Sequence, residues 1–215
     1  MKKATILALF AFISLSIHSQ EIKENKDFSI TEINKLTIEV STGHSKGLKP
    51  YSPGYYSSSD KFMGNITINS FNIGARYMLS PIFGVRADLG YMNLKNDKKS
   101  NSLNYQMQVP TLGVQGVINA SRLFNIENSI GRFGLLLHGG LQISKLYSRT
   151  ADEMSPIDPS ILVRSHNYGA KENNIGLIFG ISPQYRLNDK FALITDVSFV
   201  NSLRQHFAWD GGYTY

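Results

Sequence analysis

The chain contains no cysteine. That excludes disulfides, thiolate nucleophiles and cysteine-based metal sites. Past the N-terminal stretch it has no apolar run long enough for a transmembrane helix, which needs about 20 residues. Charged residues are few, 18% of the total, and the formal net charge of +6 is not gathered into a stripe interleaved with aromatics. Without that electrostatic footprint, nucleic acid is not an expected partner. Catalytic motifs are also absent. Gly139-Gly140 opens no helix and so is no phosphate loop. No metal-ligand spacing or cofactor motif occurs, so neither metal nor cofactor is expected.

Alternation is what the chain has in quantity. Between Phe71 and Tyr91, Phe71, Ile73, Ala75 and Tyr77 alternate with Asn72, Gly74 and Arg76. After Ser80-Pro81, Phe83, Val85, Ala87, Leu89 and Tyr91 alternate with Gly84, Arg86, Asp88 and Gly90. Period-2 alternation about a tight turn predicts a β-hairpin. One face is apolar with aromatics at its ends, and the other carries arginine, aspartate and glycine. A barrel in lipid turns the first outward and the second inward.

The same reading predicts further strands. The first runs from about Lys35 to Thr42, the hairpin supplies the second and third, and a fourth starts near Leu103. In the fourth, the apolar parity of Leu103, Tyr105, Met107 and Val109 gives way to Leu112, Val114 and Ile118, which predicts a bulge at Pro110. A connection over Asn119–Arg132 with a helical turn precedes a fifth strand, Phe133–Lys145. The sixth is Asn174–Leu187 and the seventh Phe191–Val200, with Asn188-Asp189-Lys190 as the turn between them. Connections alternate long and short, the rhythm of long extracellular loops and short periplasmic turns. Seven strands leave an edge, so the chain reads as a barrel lacking its last strand.

Met1 to Ser19 reads as a cleaved secretory signal: Lys2 and Lys3, an apolar run from Ala4 to about Ile17, then small Ser19 before Gln20. Residues 20–33 form a periplasmic lead-in, and 34–215 form the barrel. Tyr77, Phe83, Phe133, Tyr185 and Phe191 sit at the short-turn ends of strands with outward parity, while Tyr91 and Tyr105 sit at the opposite ends. These are two candidate interfacial girdles. Glu39, Arg76, Arg86, Asp88, His138, Arg186 and Asp196 all have inward parity. Charges inside a narrow barrel must pair, so they form a candidate lumen network.

Several stretches carry a family resemblance. They are Pro50-Tyr51-Ser52-Pro53-Gly54-Tyr55-Tyr56, Gly74-Ala75-Arg76-Tyr77 through Asp88-Leu89-Gly90-Tyr91, Leu112 to Asn119, and Arg204-Gln205-His206 with Trp209-Asp210-Gly211. On these the chain resembles the N-terminal barrel domain of Bacteroidetes OmpA-like outer-membrane proteins. The resemblance implies an all-β, antiparallel up-and-down transmembrane β-barrel of the eight-stranded OmpA type. It implies a structural envelope role, with peptidoglycan reached only through a further domain. The expected partners are outer-membrane lipid and lipopolysaccharide, with Lys95, Lys98 and Lys99 as candidate phosphate contacts, and other envelope proteins. Two alternatives are a small or gated pore and a lipid A-modifying enzyme using Ser202 and His206.

Overall fold

The structure, a computed structural model, describes residues 8–18, 35–47, 67–95, 106–149, 153–154, 162–164 and 169–206. The chain forms β1 (Ala8–His18), β2 (Leu36–Gly47), β3 (Ser70–Met78), β4 (Phe83–Lys95) and β5 (Gln106–Asn119). Two one-turn helices follow, α1 (Ala120–Leu123) and α2 (Glu127–Ile130), then β6 (Phe133–Ser148). After β6 come the short β7 (Glu153–Met154) and β8 (Leu162–Arg164), and then β9 (Lys171–Arg186) and β10 (Phe191–Ser202). Eight strands close into one antiparallel barrel in the order β1-β10-β9-β6-β5-β4-β3-β2, while β7 and β8 pair only with each other. No helix among the described residues is long and apolar enough to cross a membrane, which does not bear on crossing by strands.

The turns follow their residues. Ser80 Oγ accepts from Phe83 N at 2.9 Å and closes the β3–β4 turn. Asn188 Oδ1 accepts from Lys190 N and Phe191 N at 2.9 and 2.8 Å, an Asx turn between β9 and β10. Asn119 caps α1 by accepting from Arg122 N. The β3–β4, β5–β6 and β9–β10 connections share one end of the barrel.

The molecule is inside-out relative to a soluble protein. Ile38, Ile73, Leu89, Leu141, Ile175 and Phe179 are exposed on the outer wall. Arg76, Arg86, Asp88, Gln115, His138 and Asp196 are buried in the lumen. Such a wall is stable in hydrocarbon, and a closed ring leaves no strand edge unsatisfied there.

Two expectations change. The predicted bulge at Pro110 is absent, because β4 and β5 keep one register from Phe83↔Ile118 through Tyr91↔Pro110 to Lys95↔Gln106. Met107 and Val109 face the lumen, in the same row as Thr111, Gln115 and Val117. The apparent parity shift marks a change of partner along the strand. Below Pro110 the apolar side chains face outward, and above it they fill the barrel mouth. Pro110 only omits a ladder bond, which the strand tolerates.

The second change concerns closure. Ala8–His18, the stretch expected in a secretory signal, is the eighth strand here. It pairs from Ala8↔Val200 to Ile17↔Phe191 with β10, and from Ala8↔Gly47 to His18↔Thr37 with β2. The seven strands expected from the sequence therefore all form, and the seam between the first and last of them is filled. The expected loop motif at 50–56, Tyr105, Lys98, Lys99 and Trp209 lie outside the described residues.

Candidate functional site: the charged lumen

Five strands bring the lumen charges together. Arg86 on β4 is the hub. Its Nε lies 3.4 Å from Glu39 Oε2 and 3.7 Å from Asp88 Oδ1, and its Nη1 donates to Asp196 Oδ2 at 2.9 Å. Arg76 on β3 reaches the other Glu39 oxygen at 3.3 Å. His138 on β6 approaches Asp196 Oδ2 at 3.2 Å through Nε2. Its Nδ1 is 2.6 Å from Gln115 Oε1. Gln115 Nε2 donates to Asp88 Oδ1 at 2.5 Å. The Gln115 oxygen is therefore left to accept, and Nδ1 of His138 is the donor. Ser182 Oγ donates to Asp196 Oδ2 at 2.9 Å, and Ser198 Oγ to Asp196 Oδ1.

Each strand position follows from parity. Glu39, Arg76, Arg86, Asp88 and Asp196 occupy inward positions, and cross-strand registers such as Arg76↔Arg86 and Glu39↔Gly74 set them at one level. Two glycines make the room. A Cβ on Gly113 would stand 2.6 Å from Asp88 Oδ2, and one on Gly180 would stand 2.6 Å from His138 Nε2. Nε of Arg76 and Nε of Arg86 face carboxylates without hydrogen-bond alignment, so the network holds there by charge.

Arg186 is placed differently from the expectation. It has inward parity and pairs with Ala192 at the end of β9, but it is exposed at the short-turn rim. Its backbone N donates to Arg132 O at 2.9 Å. Parity gives a side chain's face and not its depth, which is why the sequence grouped it with the lumen charges. Conversely, Gln115, Ser182 and Ser198 belong to the network and were not singled out. Their signal was present as inward parity beside charged neighbours.

Apolar layers bound the network at both ends. Met92, Leu94, Met107, Val109, Leu146 and Val200 pack into a buried cluster toward the long-loop end, with Ile178 at its base. Met78, Val117, Leu136, Ala192 and Ile194 are buried toward the short-turn end.

Tyr77, Phe83, Phe133, Tyr185 and Phe191 lie on the outer wall at the short-turn end, where the Phe133 and Tyr185 rings approach at 4.8 Å. Tyr91 is exposed on the wall near the other end, directly across from Phe71. Of the expected Ser202–His206 pair, Ser202 ends β10 and His206 lies four residues beyond it. His206 Nε2 accepts from Arg204 Nε at 3.1 Å, and His206 N donates to Glu172 Oε1 at 2.7 Å.

An apolar outer wall around a paired, buried, polar lumen defines the class: a small transmembrane β-barrel. No family model matches the chain, and no curated protein matches it. Solved structures that align with it are those of Ail, the attachment invasion locus protein of Yersinia pestis. The crystal structure is 10% identical and covers 91% of this chain and 97% of that one, with a TM-score of 0.34. The structure of Ail in complex with the heparin analogue sucrose octasulfate is 9% identical, covering 92% and 97%, with a TM-score of 0.31. The backbone structure of Ail in a phospholipid bilayer nanodisc is 13% identical, covering 89% and 98%, with a TM-score of 0.26. At such scores the likeness carries no argument, and the class rests on this chain's own wall and lumen.

Proposed function

We propose that the protein is a structural outer-membrane barrel. It spans the outer membrane, holds its long connections on the cell surface, and contributes to envelope integrity without catalysis or conduction. The observation that carries this reading is the lumen's described side chains, which set paired charges between two apolar layers. An eight-stranded ring leaves an interior that side chains alone can fill. Here Arg86 and its three carboxylates fill the middle, and apolar layers stand above and below. An ion entering would have to cross an apolar constriction and then break paired charges, each costing several kcal/mol to desolvate. That weighs against the pore. The occupation of His206 Nε2 by Arg204 weighs against a lipid A-modifying enzyme, whose histidine must be available to a nucleophile.

The motif stretches resembling Bacteroidetes OmpA-like barrels support the envelope assignment, with peptidoglycan tethering where a further domain accompanies the barrel. Lys2, Lys3 and the apolar run after them support export by a signal removed near Ser19. The test is planar-bilayer recording of the refolded barrel alongside deletion of its gene. Silence in the bilayer with increased detergent sensitivity of the deletion strain is the expected result. Discrete single-channel steps would make the pore the better reading.

A further inference from the structure

The outer wall carries one group of cations that the lumen network does not use. On β6 and just past its end, Lys145, Tyr147 and Arg149 succeed one another at outward parity, and Lys171 of β9 is the register partner of Tyr147. The Lys145 and Lys171 ammonium groups each lie 5.5 Å from the centre of the Tyr147 ring. Arg149 Nε donates to Gln108 Oε1 at 3.1 Å, and Gln108 is the partner of Tyr147 on β5. Two lysines, one from β6 and one from β9, thus meet at one aromatic ring, with Arg149 one outward step beyond it. Among the described residues none of the three forms an ion pair. The neighbouring Glu172 has the opposite parity, and its carboxylate accepts from the His206 backbone.

Depth gives the group its meaning. The row directly beneath Lys145 is Leu112, Ile143 and Ile175, all exposed on the lipid-facing wall. Two residues along a strand advance about 6.6 Å. The cations therefore stand beyond that row on the long-loop side, Lys145 one step out, Lys171 two and Arg149 three, at the level of headgroups and not of hydrocarbon. Two ammonium groups at one ring repel each other, and the ring offsets only part of that at roughly 0.5–1 kcal/mol per contact. An anion between them and Arg149 relieves the repulsion, and a phosphate offers oxygens to both lysines and to the guanidinium.

We propose that Lys145, Arg149 and Lys171 form a clamp, centred on Tyr147, for the phosphorylated headgroup of an anionic lipid of the surrounding outer leaflet. The proposal rests on the outer-membrane reading and names the lipid chemistry that the barrel engages.

The experiment places the refolded full chain in phosphatidylcholine nanodiscs doped with diphosphoryl lipid A or with its dephosphorylated form. Native mass spectrometry then counts the lipid retained. Each cation near the surface contributes about fivefold, so the K145Q/R149Q/K171Q variant should retain diphosphoryl lipid A about a hundredfold less well. The dephosphorylated lipid should bind wild type and variant alike, and K190Q, at the opposite rim, should change nothing. The K145R/K171R variant should keep the binding. Should the triple variant fail to fold, K145Q/K171Q reads the same loss at about twenty-five-fold. Equal retention by wild type and folded variant would overturn the clamp while leaving the barrel reading intact. So would a wild type indifferent to the phosphates. Failure of the wild type to insert into nanodiscs at all, seen as absent heat-modifiable migration, would overturn both.

Discussion

At the scale of single residues, the lumen is organised by Arg86. It faces Glu39, Asp88 and Asp196, whereas Arg76 faces Glu39 alone. Removing a partner from a buried ion pair leaves uncompensated charge and costs about 3–5 kcal/mol. Arg86→Ala strands three carboxylates and should lose at least that, while Arg76→Ala should lose clearly less. Urea unfolding of the barrel in lipid vesicles measures both, and equal losses would remove Arg86 as the hub. Gly180 makes a second, steric prediction. An added Cβ would stand 2.5 Å from Val197 O and 2.6 Å from His138 Nε2. Gly180→Ala must therefore displace the His138 ring, costing about 1–3 kcal/mol by overpacking. The same substitution at Gly139, whose nearest contact is 3.5 Å away, should cost little in comparison.

At the scale of strands, parity made most of the barrel legible. Strict alternation located β3, β4, β9 and β10 within a few residues, because one face must meet lipid and the other the lumen. The strand ends were less visible. β2 continues to Gly47 and β6 to Ser148, through residues such as His44, Ser45 and Tyr147 that read as loop. Barrel strands extend past the hydrocarbon into water, where alternation is no longer enforced. Pro110 misled because apolar residues occur on both faces of β5, on the wall at Leu112 and in the mouth at Met107. β1 was illegible as a strand for a related reason. Ala8 to Ile13 contains no polar residue at all, so it shows no alternation and fits a signal's apolar run.

Its place in the ring makes a prediction. Ala8 pairs with Gly47 and Val200 at the long-loop end, and β1 runs from there toward the short turns. That polarity is also the one a strand following β10 through an outer loop would have. If export removes residues 1–19, the seam between β2 and β10 must take another strand of this polarity, since an open edge in lipid costs several kcal/mol per unpaired group. Ser14 is the register partner of Ser41. Ser14→Cys with Ser41→Cys should therefore cross-link within one chain only in protein that keeps its N-terminus. N-terminal sequencing of barrel isolated from outer membranes should begin near Gln20, and that fraction should show no cross-link. A cross-linked, heat-modifiable barrel beginning at Met1 would retire the signal reading and make β1 a permanent strand.

At the scale of the whole molecule, the barrel's stability depends on which solvent meets which face. Its lumen is polar and paired, and its wall is apolar, so the bilayer serves as the outer half of the core. A soluble sandwich with the same alternation would bury Leu141 and Phe133 between sheets, and a charge at either site would be ruinous irrespective of position along the strand. In a membrane barrel the cost depends on depth. Arginine at the bilayer midplane costs about 2–4 kcal/mol, falling to about 0–1 kcal/mol near the interface. Leu141 lies near the middle of β6 and is exposed on the wall, and Phe133 begins the same strand at the short-turn rim with the same outward parity. Leu141→Arg should therefore destabilise the barrel in vesicles by about 2–4 kcal/mol. Phe133→Arg should lose less, mainly its ring contact with Tyr185. In a thinner bilayer the Phe133→Arg penalty should stay small while that of Leu141→Arg falls, because the midplane site then lies closer to water. Equal penalties at the two sites, unchanged by bilayer thickness, would mean that the wall meets protein instead of lipid.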